Sequence, residues 1–341
     1  MNIYDISRQA GVSIATVSRV LNGSGKVSEA TREKILSIIK ETGYTPNAFA
    51  RGLGLNTMNT IGILCADSSD PYLALAIYHV EQELRSHGYD SILCCTGYDY
   101  QTKVKYLELL LSKRVDAVIL AGSTFVEASP AQNRHILDAA KEVPVIIING
   151  YLEGRGIYCS VCDDFDALRA ATKRVLDCDR KNPLYLYRAL SYSGREKLRG
   201  FEAACLDYGL SREAYHTGGV NGSIYDTINF LEELQKQKHF DMILTSDDEL
   251  AIGALKFARA RGLSVPEEMS ILGFNNSRFC VCCDPELSSI DCQLSFICAN
   301  AITLLLKALK GEPAPAKTAL SAQIVVRGTT DTAFARACHT A

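Results

Sequence analysis

Three sets of residues in this chain have the types and spacing for chemistry. The first is a polar run, Ser13, Thr16, Ser18 and Arg19, with Asn22 just beyond it. On the exposed face of a helix, short hydroxyls beside one guanidinium suit phosphates and base edges, and arginine bonds guanine bidentately. The second set is two adjacent carboxylate pairs, Asp163-Asp164 and Asp247-Asp248. Neighbours on a regular element point apart, so solvated or ligand-binding roles are expected before paired acid–base work. The third is cysteine, 13 in all, with C-x-x-C spacing at Cys159/Cys162 and Cys280/Cys283. Four thiolates can hold zinc. These pairs lie far apart, however, and Cys159-Ser-Val-Cys162 reads as strand, where thiols three apart face opposite sides. Reduced thiols packed as small hydrophobes are the expectation. No nucleophile elbow, phosphate loop, Glu-His metal motif or Gly-rich dinucleotide turn occurs. The chain therefore reads as a non-enzyme, with no cofactor and no metal.

The polar run needs a helix to present it. Asn2 is placed to cap a first helix, with Ile3, Ile6 and Ala10 at helical spacing and Gly11 ending it. Ser13 caps a second, Ile14–Leu21, with Val17, Val20 and Leu21 inward. Asn22-Gly23-Ser24-Gly25 breaks it. Ser28 caps a third, Glu29–Glu41, with Ile35, Leu36, Ile38 and Ile39 as its apolar side, and Gly43 stops it. Helix, Gly-containing turn and helix make a helix-turn-helix. Ile14 and Ala15 begin the second helix exposed. On an ordinary hairpin they are surface hydrophobes; against DNA they suit thymine methyls. Residues 46–60 form a linker holding Pro46, Gly52 and Gly54, with room for a short helix between Asn47 and Leu53.

From residue 61 short aliphatic strands alternate with amphipathic helices. Strands are expected at 61–67, 90–95, 116–122, 144–149, 183–188, 241–246 and 270–274. Helices are expected at 72–87, 101–113, 132–142, 165–178, 194–208, 223–238 and 248–261. This alternation argues for parallel sheets covered on both faces, and seven units for two adjacent α/β subdomains.

Composition agrees with a globular protein, at 47% hydrophobic and 22% charged over 341 residues. Net charge is −3, but residues 1–60 carry +3 and the remainder therefore −6, a basic head on an acidic body. No apolar run approaches the roughly 20 residues that cross a bilayer. No export signal is visible, so a cytoplasmic location without membrane contact is expected.

The pattern V-S-x-A-T-V-S-R-V-L-N-G, residues 12–23, resembles the lactose-repressor/galactose-repressor (LacI/GalR) family of bacterial regulators. The resemblance continues through 27–35, 43–47, 59–63, 107–116, 246–254 and 265–274, ending near Arg327. It implies an all-α helix-turn-helix head at 1–45 and a hinge helix or linker at 46–59. The core, 60–330, would be periplasmic-binding-protein-like: two Rossmann-like parallel-sheet subdomains, about 60–158 with 290–321 and 159–289 with 322–330. It also implies a homodimer on palindromic double-stranded operator DNA. Ile14, Ala15 and Arg19 would be the main base readers. Tyr4, Ser13, Thr16, Ser18 and Asn22 would position the backbone. The segment from Asn47 would order on the operator, with Leu53 wedged into the minor groove. Gly52 and Gly54 depart from a good helix former there, each by about 1 kcal/mol relative to Ala. No leucine heptad follows residue 330, and the tail 331–341 is short and polar, which argues for a dimer over a coiled-coil tetramer.

The same resemblance implies a small-molecule effector, sugar-like, in the cleft between subdomains. Its candidate contacts are Ser69, Asp70, Tyr72, Asn149, Arg195, Lys197, Asp247 and Asn275. Tyr72 suits stacking on a sugar face and interface packing equally. Lys197 stands where the family usually has arginine, and Asn275 where it usually has aspartate. The fork becomes a point charge and a negative charge is lost. An acidic or phosphorylated sugar is one expectation, with Arg195 standing in for the guanidinium. A pocket that has lost its ligand, leaving control to a protein partner, is the other. A soluble sugar-binding receptor is disfavoured by the DNA-reading head and the absent signal peptide.

Overall fold

The computed structural model describes residues 2–21, 26–44, 57–178, 180–331 and 334. The head has three helices, α1 (Ile3–Ala10), α2 (Ile14–Leu21) and α3 (Glu29–Thr42). Asn2 caps α1 in a reciprocal box with Asp5, and Gly11 and Gly43 close α1 and α3 in the left-handed conformation. Ser13 Oγ accepts the Thr16 N–H at 3.2 Å, capping α2. Ser28 precedes α3 without a side-chain cap, its hydroxyl meeting the Thr31 hydroxyl at 2.8 Å instead. Ile6, Ala10, Val17, Val20 and Ile35 form the head's core. Leu36, expected inside, is 48% exposed, because Ile35 already fills the space between the helices.

The core begins with β1 (Thr60–Cys65), α4 (Pro71–Ser86), β2 (Asp90–Cys95), α5 (Tyr100–Ser112), β3 (Ala117–Ala121), α6 (Arg134–Glu142), β4 (Val145–Ile148) and β5 (Ile157–Cys162). It continues with α7 (Asp164–Leu176), β6 (Pro183–Tyr187), α8 (Tyr192–Asp207), β7 (His216–Gly219), α9 (Ile224–Gln235), β8 (Met242–Thr245), α10 (Asp248–Ala260), β9 (Ser270–Phe274) and β10 (Ser289–Asp291). It ends with α11 (Leu294–Leu309), β11 (Lys317–Leu320) and β12 (Gln323–Val325). Two six-stranded sheets result, ordered β11-β5-β4-β3-β1-β2 and β12-β10-β9-β8-β6-β7. Every pairing is parallel except β10 with β12. The buried strands, such as β3 and β9, are apolar throughout, as sheets covered on both faces require.

The chain passes between the sheets three times. It first crosses after Cys162, since β5 pairs with β4 in the first sheet, slightly beyond the boundary read at 158/159. It returns after Asp291, because β10 pairs with β9 in the second sheet. The last crossing falls between β11 and β12. Cys159 and Cys162 pack into different clusters on opposite faces of β5. Burial pushes the thiol of Cys159 up to about 11 and that of Cys292 to about 12, consistent with inert packed sulfur. Among the described residues no helix is long and apolar enough to cross a membrane.

Candidate DNA-reading face and effector cleft

On α2 the apolar residues turn in and the polar ones out. Val17 is fully buried and Val20 4% exposed. Ser13, Ile14, Ala15 and Arg19 are exposed, and Thr16 and Ser18 half-buried. Ile14, at 38% exposed, and Tyr4, at 62%, extend this surface with apolar area. A helix that offers hydroxyls, one guanidinium and small apolar groups to solvent can enter a major groove. Asn22, Asn47 and Leu53 lie outside the described residues.

The cleft forms where the carboxyl ends of both sheets meet. Asp70, after β1, caps α4 by accepting the Leu73 N–H at 2.9 Å. Asp247, after β8, caps α10 by accepting the Leu250 N–H at 3.0 Å. Asp247 also receives Arg188, Nε at 3.2 Å and a terminal nitrogen at 3.1 Å. Arg188 reaches Glu249 at 3.2 Å and the Gly222 carbonyl at 2.7 Å. Burial pushes the Asp70 carboxyl above the usual range; Asp247 across the cleft adds to this and Arg188 opposes it. Asp70 from one subdomain thus faces the Arg188–Asp247 pair of the other.

Deeper in, Lys197 of α8 is 5% exposed. Its ammonium donates to the Ser246 carbonyl at 3.0 Å and lies 3.6 Å from the centre of the Phe274 ring. Lys197 therefore sits on the residue before Asn275. Asn275 takes a left-handed φ of 97°, and its backbone N–H donates to Ile290 at 2.8 Å. Beside Lys197 lies Asp164, the first residue of α7, 2% exposed. Burial pushes its carboxyl upward, partly offset by Lys197.

The other expected contacts are placed less directly. Ser69 is exposed and its hydroxyl donates to Asp67 at 2.7 Å. Tyr72 packs its ring against the buried cluster that holds residues of both sheets, its hydroxyl buried without a partner. Asn149 is buried, and its Oδ1 accepts the Cys162 N–H at 3.2 Å, tying the ends of β4 and β5. Arg195 donates to the Leu190 carbonyl at 2.7 Å. Two positions from Lys197 on α8, it faces a different direction. Between the subdomains the Ser123 hydroxyl donates to Ser191 at 2.8 Å, and Lys317 of β11 donates to the Tyr192 hydroxyl at 3.3 Å. Sequence reading missed Arg188, Glu249 and Ser123. It noticed Asp164 as half of a carboxylate pair, but nothing local told that it is buried.

The model for bacterial regulatory proteins of the lacI family matches residues 2–47. The model for periplasmic binding proteins and the sugar binding domain of the LacI family matches residues 58–319. An HTH-type transcriptional regulator of Lachnoclostridium phytofermentans is 52% identical over 332 residues, covering 97% of this chain and all of its own length. Catabolite control protein A of Priestia megaterium is 30% identical, covering 92% of this chain and 93% of its own. A lac repressor dimer, bound to operator and the anti-inducer ONPF, shares the fold with a TM-score of 0.87 at 21% identity, over 97% of this chain and 99% of that one. These relatives are regulators and not enzymes. With both its head and its two-sheet core matched, the chain belongs to the LacI family of bacterial transcriptional regulators.

Proposed function

We propose that the chain acts in the cytoplasm as a homodimeric repressor of sequence-specific DNA, its operator affinity set by a sugar-like ligand in the cleft. The outward face of α2 carries this reading, since Arg19 and Ile14 are exposed while Val17 and Val20 anchor the helix. One head reads a half-site, and a twofold pair of heads reads a palindrome. Ligand and DNA are coupled because whatever cleft geometry the ligand favours must change operator affinity reciprocally.

Selection of random duplexes by the full chain tests the first part, with a palindrome as the expected product. Arg19→Ala should then weaken binding to that duplex by roughly 10- to 100-fold at fixed salt, the value of one bidentate base contact. Equal loss on specific and random DNA would make Arg19 a phosphate contact only. Leu53→Ala should lower specific affinity while leaving the core folded. A second reading, control by a protein partner, is favoured by one observation: Asp247, a candidate ligand contact, is already filled by Arg188.

A further inference from the structure

A pair of hydrogen bonds between the subdomains meets at one spot. The Ser123 hydroxyl, just after β3 in the first subdomain, donates to the Ser191 hydroxyl at 2.8 Å. The Lys317 ammonium, on β11 of the same subdomain, donates to the Tyr192 hydroxyl at 3.3 Å. Ser191 is the cap of α8 and Tyr192 its first residue. Tyr151, from the segment after β4, lies against the same place. Its ring centre is 6.4 Å from that of Tyr192, and the Lys317 ammonium stands 4.9 Å from it. Three separate segments of the first subdomain therefore grip the start of one helix of the second.

Both sides of this grip are built in advance. In the first subdomain, Lys103 of α5 is 3% exposed and donates to the Thr124 carbonyl and to Glu127, each at 2.7 Å. That buried cation fixes the backbone of the segment that presents Ser123. In the second, Ser191 Oγ accepts the Gly194 N–H at 3.3 Å, and a Cβ at Gly194 would collide with the Ala189 carbonyl. The turn into α8 is thus closely wound. Parts already ordered lose little conformational freedom when they meet. The contacts themselves are polar, and Ser123, Tyr151, Ser191 and Tyr192 are half-buried while Lys317 is exposed. Water competes for each bond, so its net worth is small and the contact is reversible. Apolar packing would weld the subdomains, whereas a few such bonds suit two forms of similar free energy.

We propose that Ser123, Lys317 and Tyr151 latch the cleft shut on the start of α8, making the closed cleft the resting form of the chain. α8 is suited to carry the pull inward. Lys197, on the same helix, reaches the Ser246 carbonyl and the Phe274 ring inside the second subdomain. A displacement of Ser191 and Tyr192 is therefore passed to the ends of β8 and β9, which Asp247 and Asn275 follow. A ligand or partner that parts the subdomains must first break the latch. Closure by these side chains holds whether the cleft takes a sugar or answers to a protein partner.

Removing two hydroxyls tests this with little loss of packing. Ser123→Ala and Tyr192→Phe each delete one bond between the subdomains. Small-angle scattering and hydrogen exchange are read on the full chain with no ligand added. The unmodified chain should scatter as the closed arrangement. In the double variant the radius of gyration should rise. Amides at 123–127 and 191–197 should exchange roughly tenfold faster or more, the value of two bonds that water contests. Amides of the buried strands β3 and β9 should keep their rates. An unmodified chain that scatters as an open form overturns the proposal, and so does a double variant whose scattering is unchanged. Faster exchange throughout, β3 and β9 included, would mean general loosening in place of release and overturns it too. Should the double variant fail to fold, Lys317→Ala, at an exposed residue, faces the same readings with the same outcomes.

Discussion

Asp163 and Asp247 each cap a helix, and the aspartate that follows each turns inward. Beyond that the two places diverge. Asp248 accepts the Ser277 N–H and the Ser289 hydroxyl, each at 2.6 Å. Gly273 lies so close that an added Cβ would collide with the Asp248 oxygen. That carboxylate is closed off by its own protein and fixes the loop after β9. Asp164 is as deeply buried, at 2% exposed against 3%, but it is met only by side chains, the Lys197 ammonium, the Ser193 hydroxyl and the Cys162 thiol. The same local pattern gives a carboxylate that ties down backbone in one place and one that rests beside a buried cation in the other.

Substitutions at the two places sharpen this contrast. Asp248→Ala strands the Ser277 N–H and the Ser289 hydroxyl. It should lower core stability by about 2–4 kcal/mol in urea denaturation. A loss no larger than at an exposed site would show that the strut is dispensable. Arg188→Ala leaves Asp247 and Glu249 opposite Asp70 with no cation. Because Arg188 is partly exposed, a loss of about 1–2 kcal/mol is expected. Repulsion across the cleft should also make the free protein more open in small-angle scattering, and an unchanged profile would remove Arg188 from control of closure. Asp164→Asn should change stability by no more than about 1 kcal/mol, since the burial cost it relieves is offset by the Lys197 attraction it loses. A larger loss would mean that the attraction to Lys197 outweighs the cost of burial.

The smallest expected effect is on pH dependence. The Asp164 carboxyl is raised in the folded chain, so the folded state binds the proton more tightly than the unfolded state. Its contribution is therefore most favourable below about pH 4 and declines as pH rises through the folded value. Asp248 is raised as well, by burial, against its hydrogen bonds. Stability measured from pH 4 upward should fall less steeply in Asp164→Asn than in the unmodified chain. Identical slopes would mean that Asp164 is solvated.

Much of the head was legible because its signals are local. Asn2, Ser13, Gly11 and Gly43 act within one turn of their own helices. Ser28 and Leu36 departed from expectation, since neighbouring hydroxyls and tertiary packing decide a cap's rotamer and a residue's side. In the core the long alternating units were readable, and several strand ranges lie within a residue or two of those read. The stretch after Phe274 was not. β10 and β12 are three residues each, too short for period-two alternation to show, and α11 is apolar around most of its surface. Around the cleft, Asp70, Lys197 and Asp247 could be singled out by their positions at strand ends and on α8, whereas Arg188 and Glu249 gave no signal.

By itself the sequence determined the three-helix head, the alternation that demands two parallel sheets, and which aspartates begin helices. Those outcomes depend on contacts within a few residues or on a repeating apolar period. Only the tertiary structure decided what meets each buried carboxylate. The donors to Asp248 come from 29 and 41 residues away, and Arg188 reaches Asp247 over 59. Such meetings depend on sheet order and on where the chain crosses between subdomains. No local pattern encodes whether a distant donor arrives, so the difference between Asp164 and Asp248 became visible only once the strands were in place.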